Sequence, residues 1–212
     1  NVVNVAPQII GLSGNSSGLE AQPLSWSAQV SDPGSNDVIT GTWDFGDGSP
    51  TSSGLSASHT YLDNGVYTLH FTASDNDGAS SSSNLTVTIS NEGPSITSLS
   101  VPNGNEGEAL SFSATAIDAG DDTLTFSWDF GDSSPPAIGS TVSHAFPDDG
   151  SYSVTLTVTD EDNGSATAIE TAVITNLPPQ LQTISGPTLG DEGQTLNFSG
   201  TAIDPSATDS SS

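Results

Sequence analysis

Lysine, arginine, cysteine and methionine are all absent from this 212-residue chain, which carries 26 acidic side chains and three histidines. Charged residues normally make up about a quarter of a soluble protein, so roughly 20 or more Lys and Arg are expected at this length. Their absence excludes whole classes of function. Nucleic acid needs cationic contacts to phosphate, and an anionic leaflet needs a basic patch. Phosphate-cradling loops lose their lysine, and Schiff-base chemistry loses its amine. Without cysteine there is neither a disulfide framework nor a thiolate-ligated metal. Aromatics reach only 6% and apolar residues 32%, so small cores are expected rather than one large one. No apolar run is long enough to span a membrane, no signal peptide is visible, and the first residue is not Met. The expectation is a processed chain or a window of a longer one.

What is present is repetition. Trp43-Asp44-Phe45-Gly46-Asp47 returns as Trp128-Asp129-Phe130-Gly131-Asp132, 85 residues later. At the same offset His59-Thr60-Tyr61 returns as His144-Ala145-Phe146, and Gly65-Val66-Tyr67 as Gly150-Ser151-Tyr152. Asp75-Asn76-Asp77 lies over Asp160-Glu161-Asp162, and linkers beginning at Asn4, Asn91 and Asn176 give three copies. A period of this size is one small domain per repeat. Residues 1–4 read as the end of a preceding unit, 5–90 and 91–175 as complete units, and 176–212 as a partial third. A longer array is the expected context.

Within each unit apolar residues alternate with Ser and Thr, and no helical period occurs. Tyr67, Leu69, Phe71 and Ala73 share one face of a strand; Tyr152, Val154, Leu156 and Val158 share its counterpart. Leu24, Trp26, Ala28 and Val30 match Leu110, Phe112, Ala114 and Ala116, and Leu124, Phe126, Trp128 and Phe130 form the next run. Turn signals such as Asn64-Gly65 and Asn163-Gly164 separate these runs. About seven short strands in a unit of this size imply an all-β, tandem Ig-like sandwich. Tyr67 and Tyr152, each two residues after a glycine, read as tyrosine corners.

The Trp-Asp-Phe-Gly-Asp, His-x-Tyr/Phe and Gly-x-Tyr motifs, closed by Asp75-Asn76-Asp77 or Asp160-Glu161-Asp162, resemble those of PKD (polycystic kidney disease) domains. The resemblance covers both full units and the start of a third. It implies Ig-like sandwiches in tandem, in extracellular proteins, acting as binding, spacer or structural modules and not as enzymes. Ser133 departs from the glycine usual after the motif's second Asp, which implies a differently shaped turn there.

Catalytic readings fail on the residues. Asp-Phe-Gly lacks the lysine of a kinase site, the serines have no elbow or clustered His, and no groove accompanies any carboxylate pair. Asp44, Asp47, Asp129 and Asp132 read as turn-formers, and His59 and His144 as packing or hydrogen-bonding residues. The acidic loops are more informative. In a seven-strand sandwich the loop after the second strand and the loop before the last lie at the pole of the incoming linker. That gathers Asn91, Asp118, Asp121, Asp122, Asp160 and Asp162 in the second unit. The first offers Asn4, Asp32, Asp37, Asp75 and Asp77, and the third Asn176, Asp204 and Asp209. Glu20 and Glu106, at the opposite pole, are expected to face the incoming pole of the following unit. Oxygen donors without thiolate or imidazole suit Ca²⁺, which takes six to eight oxygens, and no protein cation can offset this charge.

The sequence therefore predicts a non-catalytic extracellular or cell-surface array, a filament, stalk or surface layer with calcium-stiffened junctions. Its expected partners are further copies or neighbouring repeats, or other surface proteins and glycans. The alternative is a spacer or substrate-binding region of a secreted hydrolase such as a protease or chitinase. Asn15, Asn84, Asn163 and Asn197 begin acceptor-like glycosylation triplets, which a Ser/Thr-rich chain also produces by chance.

Overall fold

The computed structural model describes residues 3–34 and 36–204, and all its regular structure is β. Two compact units emerge. The first comprises Asn1–Pro94 together with the loop segments Asp118–Thr123 and Asp160–Gly164. The second comprises Ser95–Ile117, Leu124–Thr159 and Ser165–Ser212. No helix among the described residues is long and apolar enough to cross a membrane.

In the first unit the strands are β1 (Gln8–Gly14), β2 (Ser17–Leu19), β3 (Pro23–Ser31), β4 (Thr40–Asp44), β5 (Ser52–Ser53), β6 (Ser56–Thr60), β7 (Gly65–Ser74) and β8 (Ser80–Ser90). They form a three-stranded sheet, β1-β3-β6, and a five-stranded sheet, β2-β8-β7-β4-β5. The second unit repeats this plan with β9 (Ser95–Ser100), β10 (Gly104–Asn105), β11 (Leu110–Ile117), β12 (Thr125–Asp129), β13 (Ala137–Ile138), β14 (Thr141–His144), β15 (Gly150–Thr159) and β16 (Ser165–Thr175). Its sheets run β9-β11-β14 and β10-β16-β15-β12-β13. A further hairpin-like pair, β17 (Gln180–Ser185) and β18 (Ser199–Ile203), belongs to the third copy of the motif.

The alternation in sequence becomes the two faces of these strands. Trp43, Phe45, Tyr61, Leu69 and Phe71 form the first core, with Trp26 beside them. Phe112, Trp128, Phe130, Phe146, Val154 and Leu156 form the second. Each motif tryptophan is fully buried, and its indole N–H donates to a turn carbonyl: Trp43 to Gly54 and Trp128 to Gly139, both at 2.9 Å. A buried indole needs such a partner, and here a positive-φ glycine turn supplies it twice.

The glycine of Trp-Asp-Phe-Gly has a steric cause. At Gly46 (φ 78°) a Cβ would sit 2.5 Å from the Thr68 carbonyl oxygen, and at Gly131 (φ 74°) 2.7 Å from that of Ser153. Asp44 and Asp129 accept the N–H of this glycine, and Asp47 and Asp132 accept the N–H of Ser49 and Ser134. The motif's acidic residues are thus turn-formers. His59 and His144 stack on Phe45 and Phe130 at 4.0 and 3.8 Å, and each Nε2 meets the carboxylate of Asp47 or Asp132. Ser133 adopts φ 69°, close to the 80° of Gly48 in the first repeat. The turn keeps its shape and the serine takes the left-handed conformation.

Candidate metal centre

Two tight oxygen clusters occupy the first compact unit. The first begins at Asp75, which is buried just after β7. One of its oxygens accepts the N–H groups of Asp77 and Ala79, and the other accepts the side-chain amide of Asn4 at 3.0 Å. Burial pushes this carboxyl up, but the Asn4 amide and the N–H groups of Ala79, Asp77 and Gly78 outweigh it and hold it below the usual range. Asp32, Asp37 and Asp75 place one oxygen each within 4.8 Å of one another. Asp37 is pushed upward, by burial first and then by Asp32, Asp77 and Asp75.

The second cluster is built from Asn91, Asp118, Asp122 and Asp160, with Glu20 beside them. Asp160 repeats the chemistry of Asp75: one oxygen accepts the N–H of Asp162 and of Gly164, and the other takes the Asn91 amide at 2.9 Å. That bond orients Asn91. With its NH₂ committed to Asp160, its Oδ1 is left buried with no donor. Asp118 accepts the N–H of Ala119 through Oδ1, and its Oδ2 is likewise buried and unpartnered. So is Oδ2 of Asp122. Glu20, only 1% exposed, accepts the N–H of Glu92 at 2.7 Å through Oε1 while Oε2 has no donor. Asp118, Asp122 and Asp160 lie within mutual ligand distance, as do Glu20, Asp63 and Asp122, and Asp122, Glu161 and Asp162.

The electrostatics follow from this crowding. Burial, followed by the charges of Glu20, Asp118, Asp162 and Asp160, pushes Asp122 up to about 6. Glu20 is raised by burial, partly restrained by the Glu92 N–H, and raised further by Asp118, Asp162 and Asp160. Since the chain contains no Lys or Arg, these groups can be neutralised only by protons or by cations from solution. The donor set is all oxygen, from carboxylates and one amide carbonyl, and contains no sulfur or imidazole. It suits a hard cation of the Ca²⁺ type.

Not every residue expected at these sites joins them. Asp121 is exposed and contributes its backbone N–H, which donates to Leu62 at 3.1 Å. Asp77 is exposed and acts through its N–H to Asp75. Asn176 is exposed. Asp204 is the last described residue, and Asp209 lies outside the described residues. Glu106 is buried in the second compact unit, grouped with Asp148 and Asp149. Asp63, Asp148, Asp149 and Glu161 escaped the sequence reading. Asp63 and Asp148 recur at the 85-residue offset, four positions before the corner tyrosines, and that was the available signal.

The PKD domain profile matches residues 4–89 and 91–175. A microbial collagenase of Vibrio alginolyticus is 34% identical over 90 residues, which is 42% of this chain and 11% of the collagenase. The chain thus spans about a tenth of that relative. The crystal structure of the PKD1 domain of Vibrio anguillarum Epp is 29% identical, covering 41% of this chain and 96% of that domain at a TM-score of 0.35. The N-terminal eight Ig domains of Down Syndrome Cell Adhesion Molecule align over 81% of this chain and 25% of theirs, at 13% identity and a TM-score of 0.43.

Proposed function

This chain belongs to the PKD domain family, and from that premise we propose that it is a non-catalytic extracellular module of a structural or adhesive array, held rigid by calcium. The observation that carries the reading is the set of oxygens on Glu20, Asn91, Asp118 and Asp122, each buried and without a donor. An unpaired buried oxygen costs about 1–3 kcal/mol, more when it is charged. Four in one cluster call for a ligand that accepts several oxygens at once, and Ca²⁺ takes six to eight.

The function follows from where those residues lie in the chain. Glu20 follows β2 inside the first repeat, Asn91–Glu92 form the linker that opens the second, and residues 118–122 and 160–162 belong to loops of the second. An ion held by all of them ties segments from both repeats into one compact unit. In a longer array such ties would limit bending, while the antiparallel ladders resist extension. Self-association would need cation bridging, because a net charge of −26 opposes it.

The test is thermal unfolding of the full chain with EDTA and with millimolar calcium. At a hundredfold excess over Kd one ion adds about 2.7 kcal/mol, a rise on the order of 10 °C for a domain of this size. An unchanged melting temperature overturns the calcium reading.

A second reading, a spacer or substrate-binding region of a secreted hydrolase, is favoured by the similarity to the microbial collagenase. The three tryptophans are buried, so a gripping surface of that kind would have to be built without them. Sequence flanking these repeats separates the readings: a catalytic domain favours the spacer, and further repeats favour the array.

A further inference from the structure

We propose a separate cation site within the second compact unit, formed by Glu106, Asp148 and Asp149 and selective for a hard divalent ion. It shares no residue with the clusters described above and does not depend on their occupancy.

Glu106 is the centre of the site. It follows β10 and is only 1% exposed, although nothing apolar about a glutamate favours burial. Its backbone is fixed on both sides: its own N–H donates to Thr175 and that of Gly107 to Phe146. Its Oε1 accepts the Leu177 N–H at 2.7 Å, which fixes the carboxylate plane. Oε2 is buried and has no donor.

Two further carboxylates lie close to it. Asp148, Asp149 and Glu106 each place one oxygen within 4.8 Å of the other two. Ligands 2.3–2.6 Å from a shared Ca²⁺ are at most about 5 Å apart, so this spacing is that of one coordination shell. Asp148 is anchored through its carbonyl and one carboxylate oxygen, and Asp149 through its backbone N–H. The Tyr152 hydroxyl donates to the Asp148 carbonyl at 2.9 Å, and the Asp149 N–H donates to Asp148 Oδ1 at 3.0 Å. The latter bond leaves the other Asp148 oxygen for a ligand.

Three negative charges are therefore held together by a tyrosine corner and a strand end, in a chain without Lys or Arg. Asp149 is exposed, so one side is open to water, which can complete the shell. The first repeat shows the same plan: Glu20 and Asp63 occupy the equivalent positions, and Asn64 stands where Asp149 does. There the third carboxylate is Asp122.

Calcium titration of the full chain by calorimetry tests this, with wild type, E106Q, D148N/D149N and D118N/D160N compared. E106Q and D148N/D149N should each bind one ion fewer per chain than wild type, and combining them should remove no second ion. D118N/D160N should lose a different ion and keep this one. The Leu177 amide, followed by NMR, should shift with calcium in wild type and in D118N/D160N but not in D148N/D149N. The aspartates lie at or near the surface, so D148N/D149N remains informative if E106Q fails to fold. Unchanged stoichiometry in D148N/D149N, or a Leu177 shift that persists in it, overturns the proposal. So does E106Q raising stability equally in calcium and in EDTA, because a carboxylate that holds no ion is relieved of its neighbours' repulsion alike in both.

Discussion

Ser133 and Gly48 occupy the same place in successive repeats, and both lie in the left-handed region, at φ 69° and 80°. A side chain there costs about 1–2 kcal/mol, whereas glycine pays only extra chain entropy of roughly 0.5–1 kcal/mol. Space is not the issue, because a Cβ at Gly48 would have nothing within 4 Å. Ser133→Gly should therefore stabilise the second repeat by about 0.5–1 kcal/mol, and Gly48→Ser should destabilise the first by about the same. Urea midpoints of the two variants check this, and a pair of changes with the same sign would refute it. The neighbouring carboxylates stay firmly ionised. Burial works against Asp132, but the Ser134 hydroxyl and N–H, together with His144, hold it below the ordinary range. The same pattern lowers Asp47, through Ser49 and His59.

At the scale of elements, the tyrosine corner recurs with almost the same dimensions. The Tyr67 hydroxyl donates to Asp63 and that of Tyr152 to Asp148, each at 2.9 Å. Their rings stack on Tyr61 and Phe146 at 4.3 Å. Tyr152→Phe keeps the stack and removes only the hydroxyl, so a loss of about 1 kcal/mol is expected in chemical denaturation. No loss would mean the corner is packing alone. The long strands were legible because Ser and Thr alternate with apolar residues over eight or more positions, as in β7, β11 and β15. Phe130 was read as strand but falls just past β12, where Gly131 turns the chain; its ring is buried all the same. The two-residue strands β5 and β13 and the parallel pairings of β2 and β10 left no periodicity to read. Neither did the bulges that recur in β1, β9 and β17, each of which skips one residue opposite its partner and spoils an open edge. The acidic loops were legible as charge without counter-charge. Which oxygens would end up without donors was not, because that depends on Asn91 donating to Asp160 and on Glu92 donating to Glu20, contacts about 70 residues apart in the chain.

For the whole molecule, 26 carboxylates and no fixed cation make stability a function of what the solution supplies. Asp122 titrates near 6 in the folded chain, against about 3.9 for an ordinary aspartate. A carboxyl raised by folding favours the native state fully below its unfolded value, and that contribution is lost as pH rises through the folded value. Asp47, Asp75 and Asp132 are lowered instead, so they add a slope of the opposite sign only at the acid end, where their unfolded forms take up protons, and none above about pH 5. In EDTA, then, the Asp122 contribution should fall between about pH 4 and pH 7, and Asp122→Asn should flatten the dependence. Calcium should reverse the trend. An ion binds the ionised carboxylates, so deprotonation and binding reinforce each other, and saturating calcium should make the protein more stable at pH 7.5 than at pH 5. Melting temperatures of wild type and Asp122→Asn at these two pH values, with and without calcium, separate the cases. If the difference between wild type and variant is the same at both pH values in EDTA, Asp122 is not held in the crowded, cation-free environment that its position implies.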